Sequence, residues 1–350
     1  VNMLRWRKCW QRMLLATAVA ATIANAFFCV AILVPDLLLM PECLLLGSPM
    51  PKRVLVGRNG TTYASLDLSQ GMLFTASEAD VAAYRWPKLG LLWRRRANDV
   101  LPESGEVWVM TQDPSHRRLL VAGLQQLAVL DAATGRPVVR MSCWVDSSLY
   151  VPFCVAFGSG GRIAVGTPGG ILIYDARSGR FQRLVKTRKA VLSLAAIPNS
   201  SFFVFGSWKE LGVVNSDTGK VIWSMAPGQT HWTLALAVDP RGRYLASGGR
   251  DGTLRWWRIM TAASGPRLAE VWTRHTGVGW VTALAIDQRA SRVAAAGHRK
   301  AVVFETQRGR RVGVMWWGNW QCESAQFGTG SRDIIVAAGS HGLLRYKLHD

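Results

Sequence analysis

The chain has 350 residues, 49% of them hydrophobic and 18% charged, enough apolar material for a large core; this excludes a disordered or collagen-like polymer. Forty-two Lys and Arg against twenty-two Asp and Glu leave a formal net charge of +20. That balance excludes an acidic buffer-type protein and points to acidic proteins, nucleic acid or anionic lipid as contacts.

Taken in chain order, residues 1–12 carry Arg5, Arg7, Lys8 and Arg12 and no acid. From Met13 to Val34 there follow 22 residues without a charge, closed by Pro35 and Asp36. A helix of that length spans about 33 Å, enough for a bilayer core of about 30 Å. Trp6 and Trp10 beside the basic residues suit an interfacial belt, and the run is longer than the roughly 7–15 residues of a signal-peptide core. Residues 13–34 therefore read as a retained single-pass anchor, and 35–52 as a linker. The basic, acid-poor start is the composition of organelle-targeted proteins, which places an organellar inner membrane first, mitochondrial before plastid, and the endoplasmic reticulum second. Divided by region, the charge is +4 over residues 1–12, −2 over 13–51 and +18 over the remainder, so the basic excess belongs to the folded body.

The six cysteines include no CxxC pair, and the six histidines show no ligand spacing, which excludes the common zinc patterns. Cys143 and Cys154 are near enough in sequence to suggest a bridge, but separate buried thiols are favoured.

A repeat occupies residues 63–350. A β-rich run ending in an aromatic or aliphatic residue, then a polar turn that often holds Gly, recurs with anchors at Tyr84, Leu130, Tyr174, Val214, Trp257, Phe304 and Tyr346. The separations are 46, 44, 40, 43, 47 and 42 residues, the period of four-stranded propeller blades. In the fifth unit, strand a runs over 234–238, strand b over 244–247 and strand c over 253–258, with turns at Asp239-Pro-Arg-Gly and Arg250-Asp-Gly. A fourth strand follows, as in 183–186, 221–225 and 311–317.

The fifth unit resembles a WD-repeat (Trp-Asp repeat) blade, and the period extends the resemblance more weakly over all seven units. In that family a His, a Ser or Thr, an Asp and a Trp form a structural hydrogen-bond network, and the resemblance assigns those positions to His231, Ser247, Asp251 and Trp257. Trp257 is followed by Arg258 where the family has Asp. The seventh unit stops at strand c, while residues 53–57 form an orphan β-run before the first. That run is expected to supply the missing outer strand and close the ring, the device the resembled family uses.

In such blades the a–b and c–d turns share one face, and these turns carry most of the net positive charge of the turns, about +11 against about +3 at the other face. Arg117, Arg118, Arg162, Arg241, Arg243, Arg289 and Arg292 come from a–b turns, and Arg177, Arg180, Arg308, Arg310 and Arg311 from c–d turns. The orphan run would enter on this basic face, which points the face at anionic headgroups or an acidic neighbouring subunit. Trp93, Arg94, Arg95 and Arg96, with Trp316, Trp317 and Trp320, are candidate partner contacts.

No phosphate loop, HExxH, GxSxG or kinase signature is present. Residues 130–138 and 215–223 are similar to quinoprotein repeats, but Asp-Thr-Gly is also ordinary tight-turn chemistry, and that family has eight blades and a longer chain. The expectation is an all-β, seven-bladed β-propeller of four-stranded blades over 53–350, preceded by a single transmembrane α-helix. It has no catalytic residues, cofactor, metal or small-molecule substrate. It acts as an interaction scaffold or accessory subunit of a multiprotein membrane complex, in an energy-transducing organellar setting. A nucleic-acid or ribosome-binding membrane adaptor is an alternative favoured by the pI of about 10.6 and disfavoured by the anchor. A membrane-bound regulator of a small GTPase in the secretory pathway is the other.

Overall fold

Two kinds of turn, each repeated, set where strands stop. At the c–d turns a carboxylate or amide folds back on the chain: Asp131 Oδ1 accepts from the Thr134 N–H and hydroxyl at 2.9 and 2.7 Å, and Asp175 Oδ1 from those of Ser178 at 2.8 Å each. Asn215 Oδ1 likewise accepts from the N–H groups of Asp217 and Thr218. A glycine then completes the turn in the left-handed region, with φ of 67° at Gly135 and 64° at Gly309, where a side chain is disfavoured. At the a–b turns Asp239 Oδ1 accepts the N–H groups of Arg243 and Tyr244 at 2.5 and 2.6 Å, and Asp287 Oδ1 those of Ser291 and Arg292 at 2.6 and 3.0 Å. Both carboxylates are fully buried, so these turns are fixed from inside.

The computed structural model describes residues 52–55, 63–67, 71–226, 232–328, 333–337 and 343–348. The basic flank 1–12 and the apolar run 13–34 lie outside them; among the described residues no helix is long and apolar enough to cross a membrane. Strand β1 is Lys52–Leu55. Blade one comprises β2 (Tyr63–Asp67), β3 (Met72–Ala76), β4 (Asp80–Arg85) and β5 (Gly90–Arg96), followed by the one-turn helix α1 (Ala97–Val100). Blade two is β6 (Val109–Gln112), β7 (Arg118–Ala122), β8 (Gln126–Asp131) and β9 (Pro137–Ser142), and a small hairpin of β10 (Trp144–Val145) and β11 (Ser148–Leu149) leads out of it. Blade three is β12 (Cys154–Phe157), β13 (Arg162–Thr167), β14 (Gly170–Asp175) and β15 (Phe181–Val185). Blade four is β16 (Val191–Ala196), β17 (Phe202–Ser207), β18 (Glu210–Asn215) and β19 (Lys220–Met225). Blade five is β20 (Thr233–Val238), β21 (Tyr244–Gly249), β22 (Thr253–Ala262) and β23 (Gly265–His275). Blade six is β24 (Ala283–Ile286), β25 (Arg292–Ala296), β26 (His298–Glu305) and β27 (Arg311–Gln321). Blade seven is β28 (Ser324–Phe327), β29 (Asp333–Ala337) and β30 (Leu343–Lys347), with β1 as its fourth strand. Among the described residues these make seven antiparallel sheets of four strands, a seven-bladed β-propeller.

Packing follows from the strand order. Middle strands are covered on both faces by the neighbouring blades and read as continuous apolar runs, buried throughout in β3 and in all but the first residue of β13. Fourth strands lie outermost and stay half wet, as in β19, where no residue is buried. Among the described residues the core divides into seven hydrophobic clusters, one at each contact between neighbouring blades, including the seam between blades seven and one. Each fully buried Leu, Val or Phe adds about 1.5–3 kcal/mol.

Polar bolts cross the same contacts. The Trp93 indole of blade one donates to the Ala132 carbonyl of blade two at 2.9 Å, and two residues on, Arg95 donates to the Thr134 carbonyl. Blade five repeats the device on blade six: Trp272 donates to the Thr306 carbonyl at 2.8 Å, and Arg274 to the carbonyls of Arg308 and Gly309. A Cβ on Gly135 would lie 2.4 Å from the Trp93 ring, so this glycine is needed for space as well as for its φ.

At the seam β1 runs antiparallel to β30, with Lys52 opposite Arg345 and Leu55 opposite Leu343. Arg345 stacks over Trp86 of blade one at 5.1 Å and ion-pairs with Asp333. The structure also departs from the expected element lengths. The β22–β23 hairpin is paired out to Ala262 and Gly265, well past Arg258, and the connections after blades one and two contain α1 and the β10–β11 hairpin. Cys143 and Cys154 are free thiols, and burial pushes the Cys143 thiol up to about 12, which leaves it unreactive at neutral pH.

Candidate functional site

A four-stranded antiparallel blade has two ends, and its hairpins divide between them. The a–b and c–d turns lie at one end, as Arg162 shows: from an a–b turn it pairs with Asp175 at 3.6 Å and Asp217 at 3.3 Å, both in c–d turns. The b–c turns and the connections between blades lie at the other.

At the first end eleven of the twelve predicted arginines fall into two groups, and Arg292 is half-buried. Arg118 donates to the Ala176 carbonyl, Arg243 pairs with Asp239 at 3.7 Å, and Arg310 pairs with Glu305 at 3.4 Å. Arg118 and Arg162 thus tie one turn to another, while Arg243 and Arg310 pair within their own turns; surface pairs of this kind are worth about 0–1 kcal/mol. Arg117, Arg177, Arg180, Arg241, Arg289, Arg308 and Arg311 are exposed. Arg289, Arg292, Arg310 and Arg311 line a recess of about 930 Å³ together with Glu305.

Of the expected structural network, the Trp257 indole donates to Ser247 Oγ at 2.9 Å with both groups buried. Asp251 makes its described contacts on its own turn. Its Oδ1 accepts from the Thr253 N–H and hydroxyl and its Oδ2 pairs with Arg255 at 3.4 Å, so it holds the b–c turn. His231 and the side chain of Trp320 lie outside the described residues.

The expected partner contacts divide by strand parity. Trp93 and Trp317 are buried in the contacts between blades, Trp317 against Tyr346, so they serve packing and have no surface to offer. Arg94 pairs with Asp80 and donates to the Tyr84 hydroxyl, and Arg95 belongs to the bolt described above. Arg96 is exposed. Trp316 is half buried beneath Lys300 Nζ, 4.6 Å from the ring. Burial, with Arg311 and Arg299 nearby, holds the Lys300 ammonium below the usual lysine range.

The second end carries a group of residues that the sequence does not single out. Trp108, Trp144, Phe153, Trp208, Trp232 and Trp280 are all between 37% and 50% exposed; Trp208 sits in a b–c turn, Trp144 in the β10–β11 hairpin, and the others just before a strand a. Four connections and one turn thus deliver six large aromatics to one rim. Singly exposed apolar residues need no explanation; a rim of six does.

Three of these indoles are linked. Trp208 and Trp232 form a backbone bridge between blades four and five. The Arg250 guanidinium lies 5.3 Å from the Trp232 ring and 4.2 Å from the Trp280 ring, and the Arg250 backbone N–H donates to the Trp232 carbonyl. Lys189 and Lys209 stand over Trp208 at 4.7 and 5.4 Å. Inward of this group, a cavity of about 420 Å³ opens between the first strands, lined by Leu192, Leu194, Trp232, Trp280, Gln321 and Glu323 among others.

Burial raises the Glu323 carboxyl above its ordinary range. A raised acid favours the folded state most fully below the unfolded Glu value and loses that contribution as pH climbs through the folded value. Glu323→Gln is therefore expected to gain thermal stability over the wild type as pH goes from about 4 to about 7. Melting curves with the same offset at both pH values would contradict this.

Among the described residues no three His, Cys, Asp or Glu side chains gather as a metal site. Residues 219–258 match the family model for the WD domain, G-beta repeat. The match covers the fourth strand of blade four, the first two of blade five and the first part of the third. No curated protein matches the chain by sequence. Among solved structures, the β-propeller domain of Myceliophteria thermophila Cps50 (Swd1) superposes with a TM-score of 0.72 at 12% identity, covering 86% of this chain and all of that one. That likeness is one of fold. Ring and superposition together make the described residues from 52 to 348 a seven-bladed β-propeller, within which residues 219–258 match a WD repeat.

Proposed function

We propose that this chain is a non-enzymatic interaction scaffold held at a membrane, an accessory subunit of a multiprotein membrane assembly. An organellar inner membrane, mitochondrial first, is its setting. The observation that carries the scaffold reading is the aromatic rim: six large side chains exposed at one end of a rigid ring. Trp anchors beside Arg are the groups that dominate protein interfaces.

The tether rests on the uncharged run 13–34 and on the direction of β1, which starts at the arginine-bearing end of the last blade. On this reading the exposed arginines are the candidates for anionic headgroups, at about 1 kcal/mol each, and the aromatic rim is left for partner subunits.

Extraction of the full chain in mild detergent, followed by identification of co-purifying subunits, tests the scaffold. A chain that runs alone overturns it. Release of the chain by alkaline carbonate removes the tether, and salt-insensitive binding to anionic liposomes removes the headgroup contact.

A further inference from the structure

We infer that the sector of the aromatic rim supplied by blades four to six is the docking site for an acidic protein segment that carries a bulky apolar side chain. The inference rests on the scaffold reading and names the chemistry of its partner.

Cations and indoles alternate here. Lys189 and Lys209 flank Trp208, Trp208 is bridged to Trp232, and Arg250 lies between Trp232 and Trp280. A guanidinium stacked on an indole is held in place with its N–H edge in the plane of the group, the edge that takes a carboxylate through two parallel bonds. Little side-chain freedom is then left to lose on binding. Beside Trp232 and Trp280 the open 420 Å³ cavity, lined by Leu192, Leu194, Leu234 and Leu236 with Gln321 and Glu323 at one side, has room for one large side chain. Cations along a path with a leucine-lined socket beside it match a chain of Asp and Glu residues with a single Phe, Leu or Trp.

The remainder of the same rim decides between a protein and a bilayer. The connections around blades one and two expose Glu78, Asp99, Glu103 and Glu106. A flat anionic bilayer pressed on this end would meet those carboxylates together with the cations. A single extended segment can lie along the cations alone, and the acidic side repels it from the wrong half.

The test is selection of binders to the detergent-solubilised full chain from a random dodecapeptide library. The expected pool is rich in Asp and Glu around one bulky apolar residue. The affinity of a synthetic peptide from that pool should fall roughly thirtyfold or more in Arg250→Glu and in Trp280→Ala, as for anchor residues elsewhere, and should weaken with salt. Both residues are exposed, so unchanged melting temperatures verify the fold. Acidic peptides that bind both variants at full strength overturn the placement and leave the scaffold standing. A neutral or basic pool overturns the chemistry. Phosphatidylserine vesicles that bind the wild type and not Arg250→Glu reassign the sector to lipid and overturn the proposal. Recovery of neither peptides nor subunits sinks the scaffold reading with it.

Discussion

Deletion of Lys52–Leu55 should lower the melting temperature by roughly 10 °C or more and broaden the transition. The strand pairs with β30 at Lys52, Arg53 and Leu55, and without it the outer edge of blade seven returns to water. Lost backbone bonds cost about 1 kcal/mol each, and the seam cluster of Leu73, Tyr84, Trp86, Ile335 and Leu343 is left beside an open edge. Arg53→Pro, which removes one N–H and leaves the chain length intact, should act in the same direction to a smaller extent. Calorimetric traces of the deletion that overlay those of the intact protein would show that the ring holds without its fourth strand.

Trp257→Ala should cost about 3–5 kcal/mol in urea unfolding, the range for a fully buried large aromatic. The indole is packed among Val204, Leu211, Val213, Leu245 and Leu268 at the contact between blades four and five. Trp257→Phe preserves most of that packing but strands the buried Ser247 hydroxyl, at about 1–3 kcal/mol. Adding Ser247→Ala to Trp257→Phe should then recover part of the loss, so the double variant is milder than the two singles summed. Strict additivity would mean that the 2.9 Å bond carries no coupling energy.

The architecture was legible because its punctuation is local. A carboxylate or Asn, then Thr or Ser, then Gly builds the same turn after Leu130, Tyr174 and Val214, so the period survives where the apolar runs between the turns have drifted. Ser247 and Trp257 were legible as partners through the resemblance of the fifth unit, and strands b and c of one hairpin bring them together at short range.

Faces were harder. Trp93 and Trp317 look in the sequence like surface anchors, and only their parity on β5 and β27 decides that they point into the next blade. Trp316, one residue away, points out. The aromatic rim has no local signature at all: Trp108 and Trp280 are neighbours of a kind only after seven blades have been laid around one axis. Asp251 accepts from Thr253 and pairs with Arg255 on its own turn, and its expected network partner His231 lies outside the described residues.

The seam also orders the making of the protein. Lys52 and its partner Arg345 are separated by almost the whole domain, so the first strand to leave the ribosome must wait for the last. At about 5–20 residues per second that wait is roughly 15–60 s, during which six blades can stack but the circle stays open. Until release, the unpaired edge of β1 is a strand in search of a partner, and on a crowded polysome the nearest one is the β30 of another copy.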